Sequence, residues 1–401
     1  MKVLLVSQPA SDGVFRHVEA LAHYLIDEGV RVHLAYSDRA ACDQLQTLVA
    51  HVAAAGGGTL NLRIGNQPGP ADLSALLRLQ SFVRKHSPDI VHAHSSKAGA
   101  LVRGLALFGM KSRVFYTPHA YYRMNAPDGI KARFFHGIER LLKRTGTTIT
   151  CSSDEAAFAR DYIGVSPGDQ RTIPNGVDCA RFRPGTPEEV LALRKQLGIP
   201  EKALLLGTVG RFSAQKDPVT TYAALARAMR ELPNLFFVHL GKGELEPEVD
   251  ALLAQSGLGH RCLRIPYLAD TAPFYRMLDG FVLGSLYEGM SYALLEALAC
   301  GLPLILTRAP GNQDFANLAL DRVFWAAPQD PASLSEAVLA WGGRPDVRAG
   351  NCNHRAVAAE LFSIETGYAR LLAEYRGALL SPGATGDFEV SKPVSALHHQ
   401  H

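Results

Sequence analysis

The sequence predicts an α/β protein built from two doubly wound parallel-sheet domains. Three observations predict it. The chain has 401 residues, 47% of them hydrophobic, which is too long for one ordinary core and suits two domains of roughly 150–200 residues each. Short apolar runs alternate with helix-period segments along its length, the mark of parallel β-α-β units. The alternation then restarts after a proline- and glycine-rich seam at 173–189, IPNGVDCARFRPGTPEE.

In the first half, the strands are KVLLVS, VRVHLAY, DIVHAH, RVFYTPH and TTITCSS. Helical stretches lie between them at 14–28, 74–86 and 132–144. In the second half, LLLGTVGR, LFFVHLG, RCLRIPY, DGFVLGS and LPLILT are strands, separated by helices at 218–231, 246–255 and 292–300. Two Rossmann-like domains follow, 1–178 and 186–363, with ligands expected at the C-terminal ends of their strands. FSIETGYARLLAEYRGALL is a further helix, about 364–380, with Phe362, Tyr368, Leu371, Leu372 and Tyr375 as its buried positions. The polar tail at 381–401 is expected to be disordered.

Charge and cysteine usage exclude several function classes. The net charge of +3 gives no footprint for nucleic acid. The six cysteines are scattered, without a metal-ligand spacing or a disulfide framework, so a reducing, cytoplasmic setting is expected. No run approaches the roughly 18 apolar residues of a membrane span. The N-terminal MKVLLVSQ is too short for a signal peptide and reads as a strand.

Two strand ends carry chemistry. In SLYEGMSYALLEALACGLPLIL, residues 285–306, a strand ends before Glu288 and a helix starts near Gly289–Tyr292. The free N–H groups of Gly289, Met290, Ser291 and Tyr292 make an anion site. Glu296 follows Glu288 by eight positions, which puts their backbones ~12 Å apart on a helix. That separation suits gripping two parts of an elongated ligand better than acid/base work across one bond. Taken alone, Glu288 reads as a first-turn charge and Glu296 as a solvated helix residue. In LLLGTVGRFSAQKDP, residues 204–218, Arg211 and Lys216 follow a buried strand end. Together they could neutralise a departing diphosphate.

The Glu288-to-Glu296 spacing, the GR-x-x-x-x-K pattern at 210–216, NGVD at 175–178 and the LEALACGLP run, in this order, resemble the family-four retaining glycosyltransferases of GT-B fold. The resemblance covers nearly the whole chain. It implies two domains facing a cleft, a terminal helix crossing back to the first, and a nucleotide-diphosphate sugar as donor. Arg211 and Lys216 would hold the diphosphate, Glu296 the ribose hydroxyls, and Glu288 the transferred sugar. The amides of Gly289–Tyr292 would contact sugar and phosphate. His119, in YTPHA, would face the donor sugar from the first domain. Gly13 matches a glycine that approaches the diphosphate, although relatives often carry two adjacent glycines where this chain has Asp12-Gly13. Gly241 and Gly243 match a turn beside the base. The segment PGNQDFANLALDRVFW departs from the family's glycine-rich run.

The acceptor is expected to be a glycan or lipid-linked glycan, with His94 and Lys97 as candidate acceptor residues. His92 and His94 share one side of a strand, but the sequence shows no third ligand near them. There is also no D-x-D pair, so no metal is assigned. In KARFFHGIERLLKR, Phe134, Phe135, Ile138, Leu141 and Leu142 share one helical face with cations opposite. That helix could lie on an anionic membrane; the blander reading packs its apolar face on the sheet. A nucleotide-sugar epimerase, a phosphorylase and a catalytically silent binding subunit are the rival functions.

Overall fold

The computed structural model describes all residues except 9–11, 40–43, 66–67, 126–127, 345–351 and 381–401. The tail expected to be disordered therefore lies outside the described residues. The chain divides into two units. Unit 1 takes Met1–Asn175 and the chain from Glu365; unit 2 takes Gly176–Ile364.

Unit 1 opens with β1 (Lys2–Ser7), α1 (Asp12–Asp27), β2 (Arg31–Tyr36), α2 (Leu45–Ala54), β3 (Thr59–Asn61) and α3 (Ala71–His86). It continues with β4 (Ile90–His94), α4 (Ser96–Ala106), β5 (Arg113–Thr117), α5 (Ile130–Leu142), β6 (Thr147–Thr150), α6 (Ser153–Ala157) and β7 (Gln170–Thr172). Unit 2 runs through α7 (Pro187–Gln196), β8 (Leu204–Val209), α8 (Pro218–Glu231), β9 (Leu235–Leu240), α9 (Glu246–Ser256), β10 (Cys262–Ile265) and α10 (Ala272–Arg276). Then come β11 (Gly280–Leu283), α11 (Tyr292–Ala299), β12 (Leu304–Thr307), β13 (Val323–Ala326), α12 (Pro331–Gly342) and α13 (His354–Leu361). The last helix, α14 (Ile364–Leu380), returns the chain to unit 1.

Among the described residues, unit 1 holds a sheet in the order β3-β2-β1-β4-β5-β6-β7 and unit 2 one in the order β10-β9-β8-β11-β12-β13. All of the strand pairs are parallel. The strands are near-continuous apolar runs because helices cover both faces of a parallel sheet. Leu4, Val6, Val91 and Ala93 pack with Leu79 and Leu101 in unit 1. Leu206, Phe237, Val282 and Ile305 pack with Tyr222 and Trp341 in unit 2. Each sheet reverses its strand order once, between β1 and β4 and between β8 and β11. Those reversals open a crevice at the strand ends, where such folds place ligands.

The two passages of chain between the units run side by side. Val177 N–H donates to Phe362 O at 2.7 Å, and Ile364 N–H donates to Val177 O at 3.2 Å. A Cβ on Gly176 would lie 2.7 Å from Ile364 Cα, so the Asn-Gly step read as an interdomain turn is also a close crossing. In α14, Tyr368, Leu371, Leu372 and Tyr375 are all buried, as is Phe362 just before it.

Candidate functional site

Three strand ends of unit 2 converge on Glu288. The turn after β8 runs from Gly210 to Asp217, which takes a left-handed conformation (φ 44°) and caps α8 through Thr220 N–H at 3.2 Å. Gln215 ties this turn to the next: its carbonyl accepts from Leu286 N–H at 2.8 Å and its side chain donates to Tyr287 O at 3.0 Å. Lys216 Nζ then donates to Glu288 Oε1 at 2.5 Å, and Ser285 Oγ donates to the same oxygen at 2.5 Å. From the end of β12, Thr307 Oγ1 donates to Ser285 O at 2.6 Å, and Glu288 N–H donates to Pro310 O at 2.8 Å. Gly311, at φ 84°, passes so close that a Cβ there would lie 2.3 Å from Glu288 O.

Glu288 is 6% exposed and Glu296 2%. This corrects their reading as surface charges. Glu288 is drawn inward by Lys216 and Ser285, which bond its carboxylate; Glu296 lies in α11, which is buried on all sides from Leu294 to Ala299. Burial, and then the Glu296 charge, push the neighbouring Cys300 thiol up to about 12. Gly289, Met290 and Ser291 are buried just before α11 begins at Tyr292, so the helix's first-turn amides lie beside the Lys216–Glu288 pair in sequence and in space. Arg211 is exposed and Lys216 half-buried. Lys216, held by Glu288, and the first-turn amides of α11 are groups that could meet an anion.

The turn after β9 braces the Arg211 loop. A Cβ on Gly241 (φ 151°) would lie 2.0 Å from Gly210 O, and one on Gly243 would lie 2.5 Å from Phe212 O. His239 Nε2 donates to Gly210 O at 2.9 Å, and its ring stacks on Phe212 with centroids 4.0 Å apart. Both glycines thus permit close packing of two loops. In the segment 310–325 that departs from the family pattern, Pro310, Gly311 and the fully buried Asn312 back the Glu288 turn.

In unit 1, the residues gather where β1, β4 and β5 end. Gly13 falls in the first turn of α1. His94 ends β4, fully buried, and its Nδ1 lies 3.1 Å from Nε2 of half-buried His119. His17, on α1, joins them: its ring centroid is 5.2 Å from that of His94 and 4.8 Å from that of His119. No third partner for His94 is legible in the sequence because this grouping depends on strand order, which sets β4 between β1 and β5. His92 is held separately, with Nδ1 2.5 Å from Tyr375 Oη and Nε2 2.8 Å from Thr117 Oγ1. Burial lowers the His17 pKa to about 4 and holds His92, His94 and His119 well below their ordinary value. Lys97 turns elsewhere: its ammonium donates to Gly65 O at 2.7 Å and pairs with Asp72 at 2.8 Å, which ties α4 to α3.

Sequence reasoning missed Glu155. His119 and Ala120 both have positive φ (57° and 85°). Ala120 N–H donates to Glu155 Oε1 at 2.7 Å, and Cys151 N–H donates to Oε2 at 2.6 Å. Burial raises this carboxyl to about 7 even so. The Ser152-x-x-Glu155 pattern is a capping-box signal that could have found it. Ser152 does cap α6, accepting from Glu155 N–H at 3.1 Å, but the Glu155 side chain reaches the His119 loop instead.

Two doubly wound units, each with polar groups clustered where its strand order reverses, define a GT-B protein. Comparisons with known proteins agree. The family model for Glycosyltransferase Family 4 matches residues 11–181, and that for Glycosyl transferases group 1 matches residues 190–348. The chain belongs to the family-four, group 1 glycosyltransferases. It is 30% identical over 246 residues to an Escherichia coli UDP-Gal:alpha-D-GlcNAc-diphosphoundecaprenol alpha-1,3-galactosyltransferase, an alignment covering 60% of this chain and 63% of that protein. It is 28% identical over 340 residues to D-inositol 3-phosphate glycosyltransferase of Geodermatophilus obscurus, covering 79% and 73%. Among solved structures, sucrose-phosphate synthase from Thermosynechococcus elongatus superposes with a TM-score of 0.79 at 21% identity, covering 95% of this chain and 99% of that one. Anabaena Alr3699/HepE in complex with UDP-glucose gives 0.76 at 20% identity, covering 94% and 100%.

Proposed function

We propose that the protein transfers a hexosyl group, with retention and without a metal, from a nucleoside-diphosphate sugar to a hydroxyl of a glycan or lipid-linked acceptor in surface polysaccharide assembly. The observation that carries this reading is the Lys216–Glu288–Ser285 cluster beside the start of α11. A departing diphosphate gains negative charge as the glycosidic bond breaks, and preorganised cations and amides stabilise it most in that state. Glu288 holds Lys216 in place at 2.5 Å, so the cation costs no reorganisation when charge develops. In the proposed step the acceptor oxygen bonds to the anomeric carbon on the face the diphosphate leaves. The acceptor proton passes to the leaving phosphate oxygen. Glu296 would hold the ribose hydroxyls and Arg211 the outer phosphate charge. The similarity to HepE, described with UDP and UDP-glucose, supports this donor class.

The lipid-linked acceptor is supported by the surface of unit 1 and by the E. coli relative, named for a diphosphoundecaprenol acceptor. Ile130, Phe134 and Leu141 on α5 are 90%, 56% and 76% exposed, as is Phe108 beyond α4 at 76%. Lys131, Arg133 and Arg140 are exposed among them. Exposed apolar groups interleaved with cations suit the face of an anionic membrane. Among the described residues no helix is long and apolar enough to cross a membrane, so contact would be peripheral.

The test is a panel of nucleoside-diphosphate sugars in chelator, screened by thermal shift and then by transfer to isolated membrane lipid. Arg211→Ala with Lys216→Ala should lower kcat by about 10²–10³-fold while leaving the fold intact. Unchanged turnover in that variant would sink the diphosphate role. Donor conversion without acceptor, or only with inorganic phosphate, would instead indicate an epimerase or a phosphorylase.

A further inference from the structure

We propose that His17, His94 and His119 form a binding site in unit 1 for a divalent transition-metal cation of the zinc class. Three elements supply the rings: α1, the end of β4 and the turn after β5. One ligand nitrogen from each lies within 4.8 Å of the others. Tetrahedral zinc, with bonds of about 2.0–2.1 Å, holds its nitrogens about 3.3 Å apart. His94 Nδ1 and His119 Nε2 already stand 3.1 Å apart. The remaining pairs need to close by at most about 1.5 Å, which a rotation of the His17 or His119 ring supplies.

The chemistry of the cluster favours a cation over a proton. Imidazole ligates only in its neutral form, and the His17 and His94 rings are buried away from water. Between His94 and His119 only one proton can be shared, whereas a metal takes a lone pair from each.

The surroundings also resemble those of metal sites, where outer groups fix the ligand rings. The Asn175 side chain hydrogen-bonds His17. His92, anchored by Tyr375 and Thr117, lies with its ring centroid 4.1 Å from that of His94 and limits its swing. Both His92 nitrogens are thereby occupied, so it is not a fourth ligand. Three neutral nitrogens leave the cation its full charge and an open position for water or an anionic oxygen. Nitrogen ligands select zinc, cobalt, nickel or copper over magnesium. The consequence for catalysis rests on the reading of His119 above: a bound cation would occupy the ring expected to face the donor, so metal should inhibit transfer.

The test uses the full chain stripped with chelator, alongside a variant with His398, His399 and His401 changed to alanine, since the tail could also chelate. Titration with Co²⁺ should give one equivalent with the visible absorption of tetrahedral coordination, in both proteins. Zn²⁺ should bleach it and Mg²⁺ should not. His119→Asn, at a half-buried position, and His17→Asn should each weaken Co²⁺ affinity at least tenfold, with melting curves confirming that the variants fold. Loss of the signal in the tail variant, its persistence in both histidine variants, or no stoichiometric uptake would each overturn the site. None of these readouts depends on turnover, so they leave the transferase reading to its own test.

Discussion

Glu155 shows how much a single side chain can determine. Its two oxygens take N–H groups from separate segments, Cys151 and Ala120, and so hold the positive-φ turn that carries His119. Glu155→Gln keeps the shape but turns an amide NH₂ toward one of those N–H donors. The expected cost is about 1–3 kcal/mol, read as a lowered urea midpoint, with weaker donor binding if His119 is displaced. Gly311 is the matching position in unit 2. A methyl there would lie 2.3 Å from Glu288 O at a φ that disfavours side chains. Gly311→Ala should therefore cost about 2–4 kcal/mol and lower transfer, because the strand end must shift with Glu288 on it. Sequence could place Glu288 and Glu296 at the right strand end and helix. It could not show that they are buried, since Glu288 depends on Lys216 arriving from a different strand end and Glu296 on the packing around all of α11.

Helix α5 reverses an expectation at the scale of an element. Its periodicity suggested an apolar face packed on the sheet. Instead Ala132, His136, Glu139 and Leu142 face inward, and of the five apolar residues only Leu142 is buried. The reason lies in its neighbours. Arg103 donates to Glu139 at 2.6 Å, Tyr116 donates to it at 2.8 Å, and His136 bonds Tyr122 O at 2.8 Å. This polar network claims the inner face, which periodicity alone cannot reveal. Phe134→Ser with Leu141→Ser should leave stability within about 0.5 kcal/mol and reduce sedimentation with anionic liposomes several-fold. Unchanged liposome binding would remove the membrane reading.

Strand β9 offers a pH test of the same kind. His239 is buried and its pKa is lowered to about 4, chiefly by desolvation, with its bond to Gly210 O acting the other way. The unfolded chain therefore binds one more proton than the folded one between about pH 6.5 and pH 4. Stability from this group is present above the unfolded value and is lost as pH falls through that window, by up to ~3 kcal/mol. His239→Gln should flatten the pH dependence of the unit 2 urea midpoint between pH 7.5 and pH 5.

Across the whole molecule, the alternation of strands and helices was legible because parallel strands carry long apolar runs. The short strands β3 and β7 were not, as their partly exposed residues carry no such run, and β13 was missed although its four residues, VFWA, are apolar. The last helix was read correctly, down to its buried positions, since its periodicity is strong. Removing it from residue 365 onward would expose the surface that Tyr368, Leu371, Leu372 and Tyr375 cover. At roughly 1.5–3 kcal/mol for each large side chain, the loss is comparable to the stability of an entire domain. Unit 1 of the truncated protein should lose its cooperative unfolding transition in denaturant, while unit 2 keeps its own.

That final helix also sets an order of events during translation. Chains emerge from the ribosome amino end first, and domains generally fold in that sequence. Here unit 1 begins first but lacks Tyr368 and Tyr375 until residues 176–364 have been made. Unit 2 is encoded without interruption, so it can reach its native state while the earlier half still waits for its closing piece. The nascent first half must therefore persist with an uncovered apolar seam for nearly half of its synthesis, the interval in which a chaperone would be most needed.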